Sequence, residues 1–243
     1  MSYRTLLVVA LVAFATCLTS AKVAEASFIV KAGDLIRLES TNGRISNGGE
    51  FLYKRNTVDA NWNSTSLDSA RTFCCEMTEF MSFGTTYKVA SVGTTTVATG
   101  KTLKAGVASL YRQWYDGMVS NQSSVTIAGA QYIYNNDTQR GRDARALQIA
   151  IWKGMGFDTT SVLNAEAADI KTKASTWITY VTDMNSNSNS TSDLFGIRIM
   201  NLKTLGGGEA QDQLTAVPEP GSLGAVFCVV AGVGAFARRK RTR

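Results

Sequence analysis

The apolar residues of this chain keep two different periods in two different places, and that switch limits the folds open to it. From Ser27 to Phe80 the texture is strand-like. "SFIVKAGDLIRLES" alternates in places, and "TNGRISNGGEFLYKR" puts an Asn-Gly turn before a second strand. "YKVASVGTTTVAT" holds a further strand or extended stretch. The period then lengthens. Leu103, Val107, Leu110, Tyr111 and Trp114 recur at helical spacing, with Asp116-Gly117 as a stop. After a loop, "QYIYNNDTQRGRD", Asp143 caps a second helix through "ARALQIAIWKG" that ends near Gly154. Leu163, Ile170, Ala174, Trp177 and Val181 mark a third helix. A polar loop at 185–192 leads to a late strand in "LFGIRIMNLK", and residues 206–216, "GGGEAQDQLTA", read as a flexible linker. The expectation is an α+β domain at 27–205: a β-rich sandwich or barrel-like part, a helical subdomain and a return strand.

Both ends of the 243 residues carry export features. Arg4, the apolar run Leu6 to Leu18 and Ala24-Glu25-Ala26 make residues 1–26 a secretory signal, with cleavage after Ala21 as the alternative. The run is too short to span a membrane. Thr16 before Cys17 is a poor match to a lipoprotein signal. At the other end, Val217-Pro218-Glu219-Pro220 precedes an apolar segment at 221–237, followed by Arg238-Arg239-Lys240-Arg241. The segment is at the short limit of a transmembrane helix, and its basic cluster would stay cytoplasmic. A plain C-terminal anchor would look like this. In this order, however, the three parts of 217–243 resemble the PEP-CTERM sorting signal. That resemblance implies an exosortase-type processing protease as partner and a transient inner-membrane anchor. It also implies release to the cell surface or extracellular matrix of a Gram-negative-type bacterium.

These ends distort the composition. Residues 27–217 keep 18 of the 25 basic residues and 17 of the 19 acidic ones, a net charge of +1. A near-neutral domain has no electrostatic case for binding nucleic acid. Cys17 and Cys228 leave with the ends, so Cys74 and Cys75 are the only cysteines that remain. Sequence neighbours are poor partners for a structural disulfide. The chain has no histidine, which removes Ser-His, Cys-His and His-metal chemistry. No motif calls for a metal or another cofactor.

Two stretches then stand out. In "TFCCEMTEF", Phe73, Cys75 and Met77 alternate with Cys74 and Glu76. In "ALQIAIW", Gln148 and Trp152 lie four apart on one helix face with Ala144. Phe73-Cys74-Cys75-Glu76 on a strand, followed by Leu147-Gln148-Ile149-Ala150-Ile151-Trp152 on a helix, resembles the thioester domain of bacterial surface adhesins over roughly 50–202. The resemblance implies an internal Cys–Gln thioester and covalent capture of an amine- or hydroxyl-bearing surface target, once per domain, without enzymatic turnover. It assigns the crosslink to Cys74 and Gln148, with Cys75 as the alternative nucleophile. If Phe73 faces the core, Cys75 does too, and Cys74 faces the helical part, which favours Cys74. Phe73 and Trp152 are placed to shield the bond, although core packing explains them as well. Glu76 either polarises the site or faces solvent.

The chemistry is self-consistent. A thiolate is a good nucleophile without histidine, and a carboxamide held at near-attack distance gains a large effective molarity. Two other readings compete. One is a non-reactive structural protein of the matrix, sorted by the same tail. The other is a cysteine hydrolase, which lacks a histidine base.

Overall fold

The computed structural model describes residues 30–44, 49–56, 68–187 and 194–217. The signal segment, Pro218, Glu219, Pro220, the apolar stretch 221–237 and the cluster Arg238, Arg239, Lys240 and Arg241 lie outside them. Among the described residues no helix is long and apolar enough to cross a membrane.

The fold is α+β. Eight strands run β1 Leu35–Arg44, β2 Gly49–Asn56, β3 Asp68–Thr72, β4 Thr86–Gly93, β5 Ser124–Ile127, β6 Ala130–Ile133, β7 Ile197–Thr204 and β8 Glu209–Ala216. Four helices, α1 Ala105–Val119, α2 Asp137–Gly154, α3 Thr160–Ala165 and α4 Ala168–Asn187, are inserted between β4 and β7. Strands β5 and β6 form a small hairpin, and the other six form one antiparallel sheet in the order β3-β2-β1-β4-β7-β8. The alternation read in the sequence is real there. Ile36 and Leu38 are fully buried, while Arg37 and Glu39 between them form an ion pair at 2.9 Å.

The two edge strands of this sheet meet. Just past β3, Cys74 bridges antiparallel to Gln213 of β8. Cys75 N–H donates to Asp212 O at 3.0 Å, and Leu214 N–H donates to Phe73 O at 3.0 Å. The strand order thus returns on itself, and its two faces bury two separate cores. Ile36, Leu38, Tyr53, Tyr87, Val89, Met200 and Cys74 fill the strand core. Phe73, Cys75, Ile197, Ile199 and Leu214 face the other way and pack with the helices around Trp114 and Trp177.

Several sequence expectations are corrected. Residues 206–216 are not a linker: 209–216 are a strand of the sheet, so the domain runs past 205 to its end. The glycines form the β7–β8 turn, with Gly207 at φ +90°. The "QYIYNNDTQRGRD" loop contains β6 and the first turns of α2, whose N-cap is Asn136, accepting from Gln139 N–H at 3.0 Å. Asp143 is instead buried within α2, where it accepts from Ile133 N–H and pairs with Lys173. Helix α1 runs through Gly117 to Val119. The glycine serves close approach, since a Cβ there would lie 2.7 Å from Tyr134 Oη. Leu163 belongs to the short α3, separate from α4, and α4 extends through 185–187 of the expected loop.

One buried anion ties the strands to the helices. Glu50 of β2 has no exposed surface and is clamped by Arg71 of β3, by Arg140 of α2 (2.9 Å and 2.6 Å) and by Tyr132 Oη of β6 (2.9 Å). Removing one partner of such a buried network strands the others. Glu50→Ala is therefore expected to lower stability by about 3–5 kcal/mol, read as a shift of the urea midpoint at unchanged slope.

Candidate functional site

Cys74 and Gln148 are brought together by a gap in the sheet. The β2–β3 ladder runs from Arg55 opposite Asp68 to Phe51 opposite Thr72 and stops. Continued in register it would set Gly49 against Cys74. Gln148, from the middle of α2, takes that place. Cys74 N–H donates to Gln148 Oε1 at 3.1 Å, and Gln148 Nε2 donates to Cys74 O at 2.7 Å. The carboxamide thus mimics one residue of a neighbouring strand, and this orientation alone satisfies both backbone groups. Cys74 is 1% exposed and Gln148 is fully buried.

The side chains on either side divide between the two cores. The alternation expected along 73–75 holds, but with its faces exchanged. Phe73 and Cys75 enter the helical core, and the Cys74 side chain enters the strand core. Gln148 reaches Cys74 along the ladder direction, through its backbone. Both cysteines are free thiols. Burial, and then the charges of Asp212 and Glu76, pushes the Cys75 thiol well above its ordinary range, so Cys75 persists as a protonated, small, buried hydrophobe.

Phe73 meets Trp114 edge to face at 4.8 Å and belongs to the helical packing. Trp152, one turn beyond Gln148, donates Nε1–H to Glu76 O at 3.0 Å and lies 4% exposed beside the Arg145 guanidinium. Helix α2 therefore grips the chain at two points, residues 74 and 76, with two side chains four apart. Glu76 does not face solvent. It is fully buried, and its carboxylate accepts from Thr99 Oγ1 at 2.7 Å and from Asp212 N–H at 3.3 Å. A cleft of about 490 Å³, whose lining includes Lys104, Lys153, Phe157 and Asn185, shares none of these residues.

The structure adds participants that the sequence reading passed over. Gln211 of β8 donates to Glu76 O at 2.7 Å. Asp212 accepts from Leu202 N–H at 2.8 Å and from Val97 N–H at 3.1 Å. Gln213, opposite Cys74, is fully buried. All three fall in the stretch read as a linker. The signal that could have found them is the glycine turn after a strand, which announces a returning hairpin partner.

The acids here titrate abnormally. Burial pushes the Asp212 carboxyl up to about 7 against the pull of its two N–H donors, and the charge of Glu76 adds to the rise. Glu79 is likewise raised to about 7, first by burial and then by the hydrogen bond and charge of Glu76. The folded state holds these protons more tightly than the unfolded chain. Their contribution is complete below the ordinary carboxylate range near pH 4 and is lost as the pH rises through about 7. Urea midpoints are therefore expected to fall over that interval, and Asp212→Asn should flatten the fall.

Comparison with protein-family models, with curated proteins and with solved structures gives no match to this chain.

Proposed function

We propose that Cys74 and Gln148 form an internal thioester and that the protein is an exported adhesive module of the cell surface or extracellular matrix. Through this bond it captures an amine-bearing target covalently. The observation that carries the reading is the carboxamide docked on the backbone of the very residue whose thiol would attack it.

Each contact has a chemical use. The two hydrogen bonds hold the carboxamide near the plane of the ladder, and the Cys74 side chain leaves that plane. A sulfur on such a side chain approaches an amide carbon from above its face, as nucleophilic addition requires. The Cys74 N–H at Oε1 is a donor for the oxygen that gains negative charge. Sγ loses its proton and bonds to Cδ, the Cδ–Nε2 bond breaks, and ammonia leaves with the proton. An amine then displaces Sγ from Cδ and returns a thiol, so each domain reacts once. Dry surroundings protect the bond from water. The high thiol pKa of Cys75 supports Cys74 as the reacting residue. The sorting tail at 217–243 supports surface delivery after exosortase-type processing.

One observation favours a second reading. The same two hydrogen bonds satisfy a buried glutamine and a buried backbone pair completely, so Gln148 has a structural use with no reaction at all. A non-reactive matrix protein would keep the geometry.

Intact mass separates the two. The freshly purified, folded domain is expected to weigh one ammonia less than its sequence, and methylamine should convert it to the adduct. Cys74→Ala and Gln148→Ala should restore the sequence mass, whereas Cys75→Ala should not. Full sequence mass in the folded wild type would exclude the thioester.

Replacing Gln148 also strands a buried N–H and a buried C=O. Gln148→Ala is expected to cost about 2–5 kcal/mol of stability even in a Cys74→Ala background, read by urea unfolding.

A further inference from the structure

The chain just past Cys74 gathers hydrogen-bond acceptors and carboxyl groups without a cation to match. Asp212 N–H donates to Glu76, and the Glu79 carboxyl hydrogen-bonds to that of Glu76. Among the described residues no lysine or arginine is ion-paired with Glu76, Glu79 or Asp212. Glu209, whose charge also reaches Glu79 and Asp212, is paired with Lys203 at 3.0 Å. Lys101 spends its ammonium on Gly156 O at 3.0 Å.

Two acceptor oxygens in this region are buried with no donor, Glu79 Oε2 and Gln213 Oε1. Gln213 is fully buried and sits across the bridge from Cys74, on the strand-core side. Its amide nitrogen is committed elsewhere, to Gln211 O and Met81 Sδ, each at 3.3 Å. Orphan acceptors beside unpaired acids are costly unless something supplies N–H groups and positive charge. No group of acidic and cysteine side chains among the described residues is arranged to hold a metal ion. Glu79 itself is only half-buried, between the exposed Thr78 and Phe80, so the cluster opens to solvent at that end.

We infer that this cluster is a docking subsite for the primary ammonium group of the target, with Glu79 at its mouth and Gln213 at its inner end. The inference rests on the proposed Cys74–Gln148 bond for its use in reaction, but not for the binding itself. A primary ammonium carries one positive charge and three N–H donors, which match the unpaired acids and the two orphan oxygens. The docked R–NH₃⁺ gives one proton to a cluster carboxylate and becomes nucleophilic. Its nitrogen bonds to Gln148 Cδ as the Cδ–Sγ bond breaks. A second nitrogen proton passes to the departing sulfur, leaving an amide at residue 148 and a thiol at residue 74. Carboxyls that titrate near neutrality suit this exchange.

The test uses Cys74→Ser, which cannot form the thioester, titrated with n-butylammonium chloride and followed by backbone amide chemical shifts. Shifts centred on residues 76–79 and 211–213 with a millimolar dissociation constant are expected. Glu79→Gln should weaken that binding by roughly tenfold, and neither n-butanol nor sodium should reproduce the shifts. Gln213→Leu, read in the same way, tests the inner end. Equal shifts with butanol or sodium, or undiminished binding in Glu79→Gln, would overturn the subsite. The wild-type mass answers separately for the thioester. Sequence mass alongside intact butylammonium binding removes the bond and keeps the subsite, and the reverse pair removes the subsite alone.

Discussion

The arrangement depends on one side-chain amide standing in for a strand. Where β2 leaves β3, the N–H and C=O of Cys74 lose their ladder partner inside a dry core. A bare backbone pair there would be prohibitive. Gln148 supplies one donor and one acceptor at the right spacing, and it does so from a helix. The helical layer is thereby registered to the sheet at a single residue, and Trp152 repeats the contact one turn later at Glu76. Any shift of α2 by one residue would break both contacts together.

The same place is where the sheet meets itself. The chain around Cys74 is bonded to β8 on one side and to α2 on the other. Its side chains alternate between two cores that are otherwise separate. A residue so placed is over-determined, and that over-determination lets a potential reaction partner be held motionless against it.

Much of this was legible in the sequence, and the reasons for the failures are physical. Period-two and helical patterns were strong where one face is buried and the other is wet, as in β1, β4, α1 and α4, and these elements were read correctly in kind. The pairing of "FCCE" with "LQIAIW" identified the two segments that touch. β8 was missed because its Gln211, Asp212, Gln213 and Thr215 look like solvated linker residues. They are buried because loop and strand backbone groups consume their polar atoms. The facing of Cys74 was reversed because alternation gives parity and not direction, and here both directions lead to a core. Asp143 was read as a cap because a helix start was sought at the nearest acid, whereas Asn136 performs that task one loop earlier.

The bridge at Cys74 also has a mechanical meaning. Val217 follows β8 directly and is fastened to Gly196 O at 2.8 Å or less, a contact of 2.7 Å, so tension on the chain beyond it enters the domain through β8. β8 passes that tension sideways to β7 and, at Gln213, to the segment carrying Cys74. A covalent tie from Cys74 to α2 would carry the pull past the weakest stretch of the sheet, where hydrogen bonds alone now join first strand to last.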